Sequence, residues 1–327
     1  MQTQKIVVGI DIGGTNTEVG LITFEGNILQ RGTMPTRGRG PNFEHYLNSL
    51  TDLIHSMLNK QNNIELCGIG IGAPNGNFHT GAIEFAPNLE WEGIVPICKL
   101  LSQRFQGIPI KLTNDANAAA LGEMLFGAAR GYTDFVTITL GTGVGSGIVS
   151  NGQLVYGHDG FAGEIGHTTV YPNGRLCGCG RYGCIEAYLS ASGLVKTALE
   201  LMVKYRTASV LGDIPPNKLQ SKDIYEAAVS GDWLAQEVFR QAGETMGLKL
   251  ADVVATLSPQ AFFFVGGVTK AGDILLDPIR QSLERYVMPI FKNKVKILPS
   301  GLPGIDSAIL GAGALVLNDI KLHNKPS

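Results

Sequence analysis

The sequence predicts an α/β protein of two lobes around a cleft, built from a duplicated β-β-β-α-β-α unit. Three observations carry this reading. Strand-like and helix-like segments alternate along 327 residues, a length at which one hydrophobic core usually gives way to two. The stretch "IVVGIDIGGTNTEVGLITFEGNIL" is echoed by "DFVTITLGTGVGSGIVSNGQLVYG", each reading strand, Gly-rich turn, strand, second turn, strand. Hydrophobic residues make up 44% of the chain, enough to fill both cores.

Each element follows from its local pattern. "KIVVGIDI" and "TEVGLIT" form a hairpin about "GGTN", and "NILQRGT" adds a third strand. Leu47, Leu50, Ile54 and Leu58 recur at helical spacing within 42–60. "LCGIGIG" is a buried strand, 94–105 a helix, "PIKLT" a strand, and "DANAAALGEMLFG" a helix opened by Asp115, whose charge suits the N-terminal end of the helix dipole. The second copy adds a Cys-rich segment, helices within 192–257, the strand "AFFFVGG", a helix from Asp273 to about Met288 and the strand "KVKILPS". A last helix, 305–317, crosses back to the first lobe. The lobes are therefore expected at 1–114 plus 305–327 and at 115–304, with hinges near Thr113 to Asp115 and near Gly304.

Charge and composition exclude several function classes. Twenty-six basic residues against 28 acidic ones leave a formal net charge of −2, with no basic run of the kind a nucleic-acid binder carries. No unbroken apolar run reaches membrane-spanning length, and the N-terminus lacks a signal-type pattern. The expectation is a cytoplasmic protein with neither nucleic-acid nor membrane partners. In a reducing compartment, three of five cysteines packed into "CGCGRYGC" point to a metal rather than to disulfides. Cys177, Cys179 and Cys184 would supply three thiolates to a structural zinc, and upstream His158 or His167 could complete a tetrahedron.

The Gly-rich turns carry the next chemistry. Gly13, Gly14, Thr15 and Asn16 in the first, and Gly141, Thr142 and Gly143 in the second, free backbone N–H groups to converge on phosphate oxygens. Gly266 and Gly267 end a buried strand where backbone could approach a flat ring. No Gly-Lys-Ser/Thr follows either turn, so neither is a Walker loop. A nucleotide phosphate is the economical ligand.

Taken in order, "DIGGTN", "TNDANAAALGE", "GTGVGSG", "GEIGH" and "CGCGRYGCIE" resemble the ROK family of sugar kinases and repressors over essentially the whole chain. The resemblance implies an actin-like, ribonuclease-H-like ATPase fold and selects His167 as the fourth zinc ligand. It implies that Glu164, His167, Glu186 and Asn114 hold sugar hydroxyls, and that Asp115 is the base that takes the proton from the 6-hydroxyl. ATP would be the donor and Mg²⁺ would shield its phosphates, with Asp11 nearby through water. Homodimers are common in the family.

"PNLEWEG" is similar to the Pro-Asn-Leu-x-Trp element of the glucokinase-like members, which places Asn88 at the sugar. Asn75 stands where many relatives have Gly and could alter preference at the 2-position. Glucose is the expected substrate, with N-acetylmannosamine and N-acetylglucosamine as alternatives. A sugar-responsive regulator is the other class; repressors of the family carry a DNA-binding domain before the first turn, whereas ten residues precede Asp11 here.

Overall fold

The computed structural model of the protein describes residues 3–38, 40, 42–206, 208–302 and 306–323, the last three by their backbone alone. Gly304 and Ile305, the expected second hinge and start of the last helix, lie outside the described residues.

In chain order the elements are β1 (Gln4–Ile12), β2 (Asn16–Thr23), β3 (Ile28–Pro35), α1 (Phe43–Leu58), β4 (Ile64–Gly72), β5 (Gly76–Asn77), β6 (Ala82–Glu84), β7 (Ile94–Val95), α2 (Ile97–Ser102), β8 (Ile110–Thr113) and α3 (Asp115–Phe126). There follow β9 (Phe135–Leu140), β10 (Val144–Ser150), β11 (Gln153–Leu154), α4 (Glu186–Leu189), α5 (Ala191–Tyr205), α6 (Ser221–Val229) and α7 (Trp233–Leu257). The chain closes with β12 (Ala261–Val265), α8 (Asp273–Tyr286), β13 (Lys296–Pro299) and α9 (Asp306–His323). Contacts divide it into two compact units, Met1–Gly131 with Gln153–Ala162 and Gly301–Ser327, and Tyr132–Gly152 with Gly163–Ser300.

In the first unit the sheet runs β3-β2-β1-β4-β8. β1 pairs antiparallel with β2 and parallel with β4, and β4 pairs parallel with β8. Because both faces of β1 are covered, Ile6, Val7, Val8 and Ile10 are all fully buried and the strand reads as a continuous apolar run. One face packs on Tyr46, Leu47, Leu50 and Ile54 of α1, whose N-terminus is capped by the Asn42 side chain accepting the Glu44 N–H. The other face packs on Ile309, Leu310 and Val316 of α9.

That second contact is backbone against backbone. A Cβ on Gly9 would stand 2.2 Å from the Ile309 carbonyl oxygen, and one on Gly70 would stand 1.9 Å from that of Ala312. α3 meets α9 by the same means: a Cβ on Gly311 would lie 2.5 Å from the Ala118 carbonyl oxygen. Residues 115–131 therefore group with the first unit, whereas the lobe boundary expected from the sequence fell at 114. The small side chains of "DANAAALGE" let α3 approach α9 this closely.

The second unit repeats the order: β10-β9-β12-β13 corresponds to β2-β1-β4-β8, with β9 and β10 antiparallel and β12 parallel to both β9 and β13. α7 and α8 cover this sheet, with Gly243 and Gly247 of α7 against Pro278 and Ser282 of α8. One expectation is corrected. Residues 94–105 are not one helix, because Ile94–Val95 pair with β6 and Pro96 separates them from the short α2. A residue preceding proline is driven to extended backbone. No helix among the described residues is long and apolar enough to cross a membrane.

The α9 contact makes a direct prediction. Gly70→Ala should destabilise by on the order of 3 kcal/mol or more, since the obstructing atom is backbone and cannot step aside. Gly212→Ala, where nothing lies within 4 Å, should be close to neutral. Urea unfolding of the two variants beside the parent checks this.

Candidate active site

In parallel α/β sheets ligands are met at the carboxyl ends of strands, and both units put their polar motifs there. In the first, Asp11 sits near the end of β1, opposite Glu18 of β2 and Gly72 of β4. β8 ends at Thr113, and Asn114 is the N-cap of α3, its Oδ1 accepting the Asn117 N–H at 2.7 Å. The cap is thus Asn114, and Asp115 is the first helical residue. Its carboxylate accepts the adjoining Ala116 N–H at 2.8 Å. Asp115 retains exposed surface, yet enough protein crowds it for desolvation to raise its pKa. Asp11 is raised to about 7, by burial first and then by the charges of Asp115 and Glu18. Gly72 lies beside both acids, since a Cβ there would stand 3.7 Å from Asp11 Oδ1 and 3.8 Å from Asp115 Cα.

The first Gly-rich turn is closed by the Gly13 N–H donating to the Asn16 carbonyl at 3.0 Å, and fastened to the chain after β3 by Thr36 N–H donating to Thr15 O at 2.8 Å. A Cβ on Gly14 would lie 3.1 Å from the carbonyl oxygen of Asn88, which brings the "PNLEW" segment onto the turn. Arg37 Nη2 donates to that same oxygen at 3.1 Å. Sequence reading passed over Arg37; its only signal was a cation just after a strand, in "TRGRG". Asn75 has φ 50°, and its Nδ2 donates to the Glu84 and Phe85 carbonyls at 3.0 and 3.2 Å. Glycine and asparagine both tolerate this left-handed backbone, and the amide nitrogen is committed to the β6 hairpin.

In the second unit the Gly141–Gly143 turn follows β9 and Gly266–Gly267 follow β12. A Cβ on Gly266 would lie 2.4 Å from the Leu140 carbonyl oxygen, so the two turns adjoin, while nothing stands within 4 Å above Gly141 or Gly267. Thr142 is exposed between them.

The Cys-rich loop gathers one donor atom each from His167, Cys177, Cys179 and Cys184 within 4.8 Å of one another. Cys179 Sγ and Cys184 Sγ are 3.7 Å apart, and Cys177 Sγ and His167 Nδ1 are 3.6 Å apart. A zinc tetrahedron with its usual bond lengths has edges of about 3.8 Å between sulfurs and about 3.5 Å between sulfur and nitrogen. The residues fit that ion. With Nδ1 turned to the thiols, His167 Nε2 faces Glu164, 3.9 Å from Oε2. Glu186 closes the loop onto the turn: Oε1 is 3.3 Å from Cys177 Sγ, and Oε2 accepts the Val144 N–H at 3.1 Å. Glycines permit these approaches, since a Cβ on Gly143 would lie 2.7 Å from Glu186 Oε2, and one on Gly166 only 1.9 Å from the Val144 carbonyl oxygen.

The crowded acids make stability depend on pH. Asp11 has a folded pKa above its unfolded value, so the folded state holds a proton that the unfolded state has lost between about pH 4 and 7. Stability therefore falls as pH rises through that window. Without added cation, Asp11→Asn should melt above the parent at pH 8, by on the order of 2–4 kcal/mol, and the gain should fade toward pH 4. Thermal unfolding across that range measures it; an unchanged difference between pH 4 and 8 contradicts the crowding.

Comparison with known proteins agrees with this geometry. Residues 7–319 match the ROK family. The chain is 36% identical over 314 residues to a glucokinase of Halalkalibacterium halodurans, covering 94% of each. It is 30% identical to a xylose repressor of Bacillus spizizenii, over 95% of this chain and 76% of the repressor. A crystal structure of a ROK family glucokinase from Streptomyces griseus, in complex with glucose and AMPPNP, superposes with a TM-score of 0.79 at 35% identity, covering 95% of this chain and 98% of that one. The repeated strand order is that of the actin-like ATPase fold, and the chain belongs to the ROK family.

Proposed function

We propose that this protein transfers the γ-phosphoryl group of ATP to the 6-hydroxyl of glucose. The observation that carries the reading is the division of labour at the start of α3: Asn114 caps the helix, which leaves the Asp115 carboxylate free for a proton. Its raised pKa suits a base, because a more basic carboxylate accepts a hydroxyl proton with less penalty. Phosphoryl transfer asks the protein for positioning, proton removal and charge shielding. Asp115 removes the proton. Asn114, whose Oδ1 is committed to the cap, offers its amide hydrogens to the sugar, and Asn88 and Asn75 are assigned to the same ligand. In the second unit Glu164, His167 and Glu186 accept and donate to sugar hydroxyls, a charged set that discriminates because an unmatched partner is left unpaired.

The backbone N–H groups of Gly13 to Asn16 and of Gly141 to Gly143 are assigned to phosphate, with Thr15 and Thr142 hydroxyls, and Gly266 and Gly267 to the flat base. Magnesium, when bound with ATP, supplies charge neutralisation; Asp11 is the carboxylate to hold it, through water, and its crowding by Asp115 and Glu18 supports a cation there. Zinc would be held by His167, Cys177, Cys179 and Cys184 as a closed, structural site that orients His167 and Glu186 and activates no water. The working form is a homodimer in the cytoplasm, where the three clustered thiols stay reduced.

Initial rates with Mg-ATP should be highest for glucose, and clearly lower for N-acetylmannosamine and N-acetylglucosamine. Asp115→Asn should keep glucose binding while lowering turnover by on the order of a hundredfold or more. Parent-like turnover in that variant would remove Asp115 from the reaction, and equal rates across the three sugars would remove the glucose assignment. Dialysed protein should retain one zinc per chain, lost in Cys184→Ser and kept in Cys67→Ser; metal analysis finding none in the parent would refute the site.

A further inference from the structure

Seven non-glycine residues among those described have positive φ: Asn63, Asn75, Phe85, Asn151, Arg206, Ser258 and Asn293. Six have a local reason. Asparagine tolerates the left-handed region, and Arg206 and Ser258 are the C-caps of α5 and α7. Phe85, at φ 50°, has none: a bulky side chain is disfavoured there and no helix ends at it. Nor does burial of its ring offset the strain, because Phe85 is 68% exposed, the most of any aromatic residue among the exposed large hydrophobics.

The surroundings nonetheless enforce this conformation. Asn75 Nδ2 donates to the Phe85 carbonyl, the Phe85 N–H donates to Gly93 O at 2.8 Å, and the Glu84 N–H donates to Asn75 O at 3.1 Å. Three residues on, Asn88 is fixed against Gly14 and Arg37. Strain that is held in place while the side chain buries nothing marks a residue whose return comes with a ligand. Resting on the function proposed above, we propose that Phe85 is a specificity residue whose ring receives the apolar C–H face of the sugar, between Asn75 and Asn88. A pyranose has a polar rim and apolar faces; the asparagines suit the rim, and a rigid aromatic ring suits a face.

The test separates ring from backbone. Phe85→Ala removes the ring and keeps the left-handed strain; Phe85→Gly removes both; Phe85→Trp keeps an aromatic surface. Calorimetric titration of the full chain with glucose, without ATP, should show Kd raised about tenfold in the Ala and Gly variants and within about threefold of the parent in the Trp variant. Phe85→Gly should melt above Phe85→Ala by about 1–3 °C. Glucose affinity within twofold of the parent in both truncations overturns the proposal. So does loss of self-association in light scattering with affinity unchanged, which would make the ring part of an interface between copies. A parent protein that binds no glucose sinks the glucose reading itself, an outcome distinct from a parent that binds while the variants match it.

Discussion

The close approach of α9 to the backbone of β1 and β4 is the constraint on which the first unit depends. With glycine at 9 and 70, the helix lies on peptide groups rather than on side chains. α3 is then drawn against α9 through Gly311 and Gly122. Since Asp11 belongs to β1 and Asp115 opens α3, the separation of the two acids is set by a stack of backbone contacts that no rotamer change can loosen. Burial raises both pKa values, and the charges of Asp115 and Glu18 add to the rise at Asp11. The energetic cost of that arrangement falls on the free protein, and the cation proposed at Asp11 would relieve it.

Much of this was legible in the sequence because its causes are local. Continuous apolar runs gave the central strands, since a strand covered on both faces needs no alternation, and the two Gly-rich turns gave the repeat. The metal loop was legible because cysteine spacing is itself a statement about which atoms can meet. What escaped was tertiary in origin. The division of the chain could not be placed at 131 rather than 114, because the affinity of α3 for α9 lies in glycines and alanines that carry no charge or periodicity. The break at Pro96 was hidden by an apolar pattern common to helix and strand. Asn75 was read as a chemical difference from glycine, whereas its φ shows a backbone requirement that both residues meet.

Asn114 and Asp115 show how neighbouring polar residues divide two jobs. An acid at a helix start is ordinarily spent as a cap, and sequence pattern alone favours that use. Here the preceding asparagine accepts the Asn117 N–H as the cap, and the acid takes the adjoining Ala116 N–H on one oxygen, Oδ1. The first-turn position then places Asp115 in the positive end of the helix dipole, which opposes the desolvation that raises its pKa. Desolvation wins in the balance. A carboxylate raised this way is more basic than one in free solution, which suits the base role proposed for it.

Glu186 performs the corresponding service in the second unit. One of its oxygens faces Cys177 and the other accepts the N–H of Val144, the first residue after the Gly141–Gly143 turn. The Cys-rich loop and the Gly141–Gly143 turn therefore share one carboxylate, and Gly143 is the residue small enough to admit it. With zinc bound at the proposed site, Cys177 would be a thiolate with no proton to offer, and that oxygen would be available to a hydroxyl donor. The other oxygen stays fixed on the backbone. Zinc at the proposed site would thus turn Glu186 from a residue satisfied within the loop into an oriented acceptor, so that a closed structural ion would bear on the proposed sugar contact without any ligand exchange at the metal.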